Sequence, residues 1–201
     1  MRISNPTLLA PLAALVLSGA LSGCVSLSPD LPESMLVLTP TAQAPAGSGG
    51  AATAAEAIAV LEPEAPAKLN VLRVPVQVDG SNIAYLKDAL WVEKPARLFR
   101  RLVAETIRVK SGKMVVDGDE PGLAADTRLR GTLLDFGYDA QAMAVVVRFD
   151  AVRVAKDGAV TTRRFESVVP GVSAEAGPVG NALNEAANEV AGQVADWVSG
   201  A

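Results

Sequence analysis

Three extended segments follow one another near residues 127–138, 142–155 and 159–169, and any fold for this chain has to be built around them. Met143, Val145, Val147, Phe149 and Ala151 line one face of the middle segment at the two-residue period of a half-buried strand. Asp157-Gly158, between the second and third segments, is a hairpin signal, because glycine takes left-handed turn positions without steric cost. An antiparallel meander of this kind presents an apolar face that something must cover. Two helical patterns supply the cover. Pro95 opens the first at the position where a missing N–H costs nothing, and Leu98, Phe99, Leu102, Val103 and Ile107 then form its apolar side. The second runs from about Pro178 to Val198, with Val179, Leu183, Ala186, Ala187, Val190, Val194, Trp197 and Val198 at helical spacing. Before them, Leu72, Val74, Val76 and Val78 alternate with polar residues, and Pro75 assigns that strand to an edge or a bulge. The expected fold class is α+β: a two-layer sandwich, its sheet mainly antiparallel, with two helices on one face and a flexible linker in front.

The first 67 residues have a different composition. Arg2 precedes an uncharged Leu/Ala/Val run from Leu8 to Leu17, and small residues lead to Leu21-Ser22-Gly23-Cys24. A basic start, a short apolar core and a small-residue site read as a secretory signal peptide over residues 1–23. Leu21, Ser22 and Gly23 before the one cysteine of the chain resemble the lipobox of bacterial lipoproteins, in which the cysteine, here Cys24, is lipidated. The alternative is an ordinary signal peptide with an incidental thiol. Three acyl chains at about 0.8 kcal/mol per buried CH2 would anchor such a chain without a transmembrane helix. Residues 24–67 read as a lipid-anchored tether with five acids and no base. Within it, Met35-Leu36-Val37-Leu38 is either a sticky island or a first strand at 35–39 docked on the sheet. From 40 to 67 the Ala, Gly, Pro, Ser and Thr content leaves too little large apolar surface to offset ordering, so this stretch reads as linker. Residues 68–201 form the folded domain, with acids and bases in balance, so the acidic excess belongs to the tether and Arg2 brings the net charge to −4.

Composition excludes much chemistry. Without histidine the chain has no Ser-His-Asp or Cys-His arrangement and no histidine metal site, and one cysteine allows no internal disulfide or CxxC site. Asp117-Gly118-Asp119-Glu120 is the only carboxylate cluster and lacks the ordered ligands of a calcium loop, so it reads as a surface turn. Gly47-Ser48-Gly49-Gly50-Ala51-Ala52 fits a dinucleotide fingerprint by letter but has no strand before it. The expectation is no catalytic residue, no metal and no cofactor. Arg97, Arg101 and Arg108 lie on a basic helix side, which is either a solvated face or a contact for lipid headgroups or an acidic partner. No aromatic residues interleave with them, so nucleic acid is not an expected ligand.

Taken in order, the lipobox, the first strand, Trp91 and Pro95 in a Trp-x-x-x-Pro helix start, the meander, and a closing helix with the late Trp197 resemble the ABC-type transport auxiliary lipoprotein family. The plain reading of both tryptophans is core packing. The resemblance implies a non-catalytic, lipid-anchored adaptor of an ABC/MCE-type envelope lipid transport system. Its implied partners are a mammalian-cell-entry (MCE) domain protein and an ABC permease and ATPase, with homo-oligomers as a further expectation. It also implies, with Val25 after Cys24, a place on the periplasmic face of the outer membrane. Two alternatives stay open: a periplasmic lipid-binding carrier and a structural envelope lipoprotein.

Overall fold

The computed structural model describes residues 34–49, 53, 56–118 and 125–200, so the signal segment, Cys24 and most of the acidic turn lie outside the described residues. In chain order the elements are β1 (Ile58–Val60), a 3-10 turn (Ala67–Leu69), β2 (Arg73–Gln77), β3 (Ile83–Leu90), α1 (Pro95–Ser111) and β4 (Val115–Asp117). The meander of β5 (Thr127–Asp139), β6 (Ala144–Val154) and β7 (Val160–Pro170) follows, and α2 (Ala176–Ser199) closes the chain.

β5 is the spine of a mixed seven-stranded sheet. One of its edges pairs along its length with β6, antiparallel from Asp139↔Ala144 to Arg128↔Val154, with a bulge between Leu133 and Asp135. The other edge is shared by β1 near its start and β2 near its end, both parallel. β3 and β4 then extend the sheet outward from β2 and β1. The longest strand pairs are antiparallel, and both helices cover the same face, as the alternation requires: Val145, Val147, Phe149 and Ala151 are all buried under them.

Local chemistry explains the element ends. α1 starts with Pro95 in its first turn and stops where Gly112 takes φ 65°, its N–H bonded to Arg108 O. α2 ends the same way at Gly200. Its stripe is unusually small: Ala186, Ala187, Ala191 and Ala195 are fully buried, which lets α2 lie close against α1 and the sheet. Trp91 packs on Phe136 with ring centroids 5.4 Å apart, and Phe99 bridges Phe136 and Phe149. Both tryptophans therefore sit in packing positions. Trp91 is fully buried, and Trp197 is half-buried against Phe165.

Two local expectations change and one alternative is resolved. Met143 does not line the β6 face; it is 61% exposed at φ 48° in the turn before the strand. Asp139 sets that turn by accepting the Gln141 and Ala142 N–H groups, so pairing begins only at Ala144. Of the two readings of Pro75, the bulge holds: the β2–β3 register shifts between Arg73 and Pro75, and β2 lies inside the sheet between β3 and β5. The stretch read as linker holds a strand: Ile58, Ala59 and Val60 are all buried between β4 and β5. A short parallel strand covered on both faces has no polar alternation to reveal it, and the surrounding Ala, Gly and Pro dilute its three residues.

Candidate functional site

Residues 36–44 form an extended strap across the helix layer. Leu36, Leu38, Pro40, Ala42 and Ala44 are half-buried while the residues between them are exposed, the alternation of a strand lying on a surface. The strand expected at 35–39 makes one parallel bridge to the sheet: Leu36 N–H donates to Leu90 O at 2.7 Å, and Val92 N–H donates to Leu36 O at 3.1 Å. The strap then follows α2. A Cβ built at Gly180 would come within 2.6 Å of Leu36 Cδ2, so a larger residue there would push the end of that side chain aside. One helical turn on, Asn184 Oδ1 accepts Thr39 N–H at 2.8 Å. A further turn on, Asn188 Oδ1 accepts Thr41 N–H at 2.8 Å while its Nδ2 donates to Thr39 O at 3.0 Å. The strap finally reaches α1, where Ala44 N–H donates to Glu105 Oε1 at 2.8 Å.

Gly180, Asn184 and Asn188 escaped the sequence reading. Their signal was present as a four-residue spacing of small and amide residues beside the apolar stripe of α2. Nothing in the sequence said that these amides face the chain's own backbone.

Between the strap and the outer side of α1 lies an open groove of about 580 Å³. Val37, Leu38, Leu98 and Leu102 give it apolar walls, and Arg101 and Arg108 stand at its rim. The structure brings the expected arginines onto this side of α1 and gives each an acidic partner. Arg101 Nη1 lies 2.5 Å from Glu93 Oε1, and Arg97 reaches both Glu62 at 3.5 Å and Glu93 at 3.8 Å. Arg108 pairs with Glu105, the residue that also holds the strap. These are half-exposed pairs, each worth about 0–1 kcal/mol in water, so an incoming anion can exchange with the carboxylates at little cost.

A second groove, about 370 Å³, opens on the uncovered sheet face beside Lys68, Asp135 and Arg148. Lys68 Nζ lies 2.6 Å from Asp135, and Arg148 pairs with both Asp135 and Glu166. Its charges are satisfied internally. Next to it, hydrogen bonds from Arg164 hold the Asp150 carboxyl below the usual carboxylate range. Among the described residues no cluster of three His, Cys, Asp or Glu side chains is arranged to hold a metal. No helix among them is long and apolar enough to cross a membrane.

Comparison with known proteins places these features in a family. No curated protein matches the chain. Among solved structures, it is similar to protein XCC0632 from Xanthomonas campestris, with TM-score 0.68 and 18% identity over 83% of this chain and 96% of that one. It is also similar to an uncharacterized protein, with TM-score 0.63 and 15% identity over 71% and 92% of the two chains. These likenesses concern the fold. The sequence profile described as "ABC-type transport auxiliary lipoprotein component" matches residues 37–195, from the strap to the last turns of α2, and the chain belongs to that family.

Proposed function

We propose that this chain is the lipid-anchored, non-catalytic adaptor of an ABC/MCE-type envelope lipid transport system. In this reading Cys24 carries the anchor, on the periplasmic face of the outer membrane, and residues 34–200 dock an MCE-domain protein that works with an ABC permease and ATPase. The observation that carries the reading is the strapped helix layer. Its groove offers apolar walls and exchangeable arginines, a recognition surface without an activated nucleophile beside it. Arg97, Arg101 and Arg108 are the contacts assigned to the partner or to lipid headgroups. Membership of a transport-auxiliary lipoprotein family supports the coarse role, and Val25 after Cys24 supports the membrane assignment.

The test is crosslinking in the native cell followed by purification through the full chain. An MCE protein, a permease and an ATPase are expected among the crosslinked products. Repeated recovery without any transporter subunit would overturn the adaptor reading. The groove also favours a second reading, a lipid carrier, because its walls would take one acyl chain and its rim a headgroup. Lipid retained stoichiometrically after detergent-free purification, read by mass spectrometry, would select the carrier over the adaptor.

A further inference from the structure

β7 is a long, regular edge strand, charged at Arg163, Arg164 and Glu166 and closed by Pro170. Among the described residues it pairs only with β6, in eleven consecutive register pairs from Val160↔Val154 to Pro170↔Ala144 with no bulge. The other edges are blunted. β4 has three residues, and β3 carries Asp88 at φ 57° opposite an irregular β2 register. A regular edge leaves a row of backbone donors and acceptors open to another strand.

The side chains along β7 favour one such strand. On the uncovered sheet face, Asp150 of β6 lies opposite Arg164, and Arg148 lies opposite Glu166. Arg164 donates to both Asp150 oxygens, at 2.6 and 2.7 Å, and Arg148 pairs with Glu166. The two rows thus run acid–base and base–acid, and Phe165 lies between them, buried against Trp197. Arg164 and Glu166 are therefore placed symmetrically about Phe165.

We propose that β7 pairs antiparallel with β7 of a second copy of this chain, in the register centred on Phe165, joining two sheets into one. In that register Arg164 stands opposite Glu166 of the second copy, and Glu166 opposite its Arg164. Each row then alternates in sign across four strands, acid–base–acid–base in one and base–acid–base–acid in the other. Centring on Arg164 or on Glu166 sets that residue against its own copy, like charge on like. Centring between two residues turns side chains to the wrong faces. Past the edge, the groove beside Ser167, Val168 and Pro170 is walled by Glu185 and Glu189 of α2. Arg163 of the second copy, which falls opposite Ser167, arrives next to these acids. The pairing holds whether or not the chain serves a transporter, since it does not use the α1 groove, and the strap borders it only through Thr41.

Charge reversal tests it in the full chain, by sedimentation in density-matched detergent. The wild-type protein is expected to be dimeric. Arg164→Glu alone and Glu166→Arg alone each place like charges in both rows, and should weaken self-association roughly tenfold or more. In an equimolar mixture of the two variants the introduced glutamate of one copy meets the introduced arginine of the other, and Glu166 meets Arg164, across the seam. Opposite charges return there, although Asp150 and Arg148 keep like-charged neighbours within their own copies, and the dimer should be regained, which a misfolded variant would not do. A monomeric wild type, single variants that associate as well as wild type, or a mixture no better than its components would overturn the proposal. So would β7 amides that become protected from exchange only when a different protein is added, which would assign the edge to that partner.

Discussion

Asn188 does several jobs with one amide. Its carbonyl accepts the Thr41 amide and its NH2 group donates to Thr39 O, so one side chain replaces the strand neighbour that this part of the strap lacks. Thr41 Oγ1 adds a third contact at 3.1 Å. Asn188→Ala removes all three and leaves backbone groups to find water. Because the strap is half-exposed, the loss should be local. The expected result is faster hydrogen exchange at Thr41, with Leu36, the α2 core amides and Thr39, whose N–H stays on Asn184 Oδ1, unchanged and global stability lowered by about 1 kcal/mol. Exchange that accelerates equally at Leu36 and along the strap would mean that the strap opens as one unit.

At the scale of elements, the strap and β1 move the start of the folded unit well before residue 68. β1 lies between β4 and β5, and the chain after it keeps to the β5 edge: Leu61 N–H donates to Leu129 O, Glu64 N–H to Gly131 O, and Leu133 N–H to Glu64 O. A chain beginning at residue 68 would strand β4 without a partner and bare half of one β5 edge, together with the apolar surfaces that Ile58 and Val60 cover. It should aggregate or show no cooperative thermal transition, whereas a chain beginning at residue 34 should unfold cooperatively; circular dichroism melts on both decide the point. The difference in legibility is physical. β5, β6, β7 and both helices could be read because each is long and has one wet face, so Leu98–Phe99–Leu102 or Val145–Val147–Phe149 repeat at the period of their element. β1 is three residues buried on both faces, and the strap is fixed by bonds to Asn184, Asn188 and Glu105 far along the chain. β1 leaves no local periodic trace, and of the strap only the apolar run at Met35–Leu38 could be read. The arginines were legible as a helix side, but their pairing was not, since Glu62 and Glu93 reach them from before α1.

For the molecule as a whole, stability and recognition reside in different layers. The core lies between helices and sheet, where Trp91, Phe99, Phe136 and the small residues of α2 are sealed from water. Arg97, Arg101 and Arg108 lie outside it, in pairs whose net worth is small because water screens both members. This separation gives a sharp expectation for the triple substitution Arg97→Gln, Arg101→Gln and Arg108→Gln. Four half-exposed pairs at about 0–1 kcal/mol each, shared among three arginines, leave the melting temperature within several degrees of wild type. The groove nevertheless loses the charges that would meet an acidic partner or headgroup, while Glu62, Glu93 and Glu105 remain to repel it. Crosslinked recovery of transporter subunits should therefore fall by an order of magnitude or more, roughly the effect of deleting a few charge-assisted contacts at an interface. A control with the same three changes and Glu93→Gln separates attraction from repulsion, because recovery regained there would mean that the arginines act only by shielding the carboxylates. A triple variant that folds as wild type and still captures its partners would move the docking surface off α1 altogether, leaving the uncovered sheet face around Lys68 and Arg148 as the alternative.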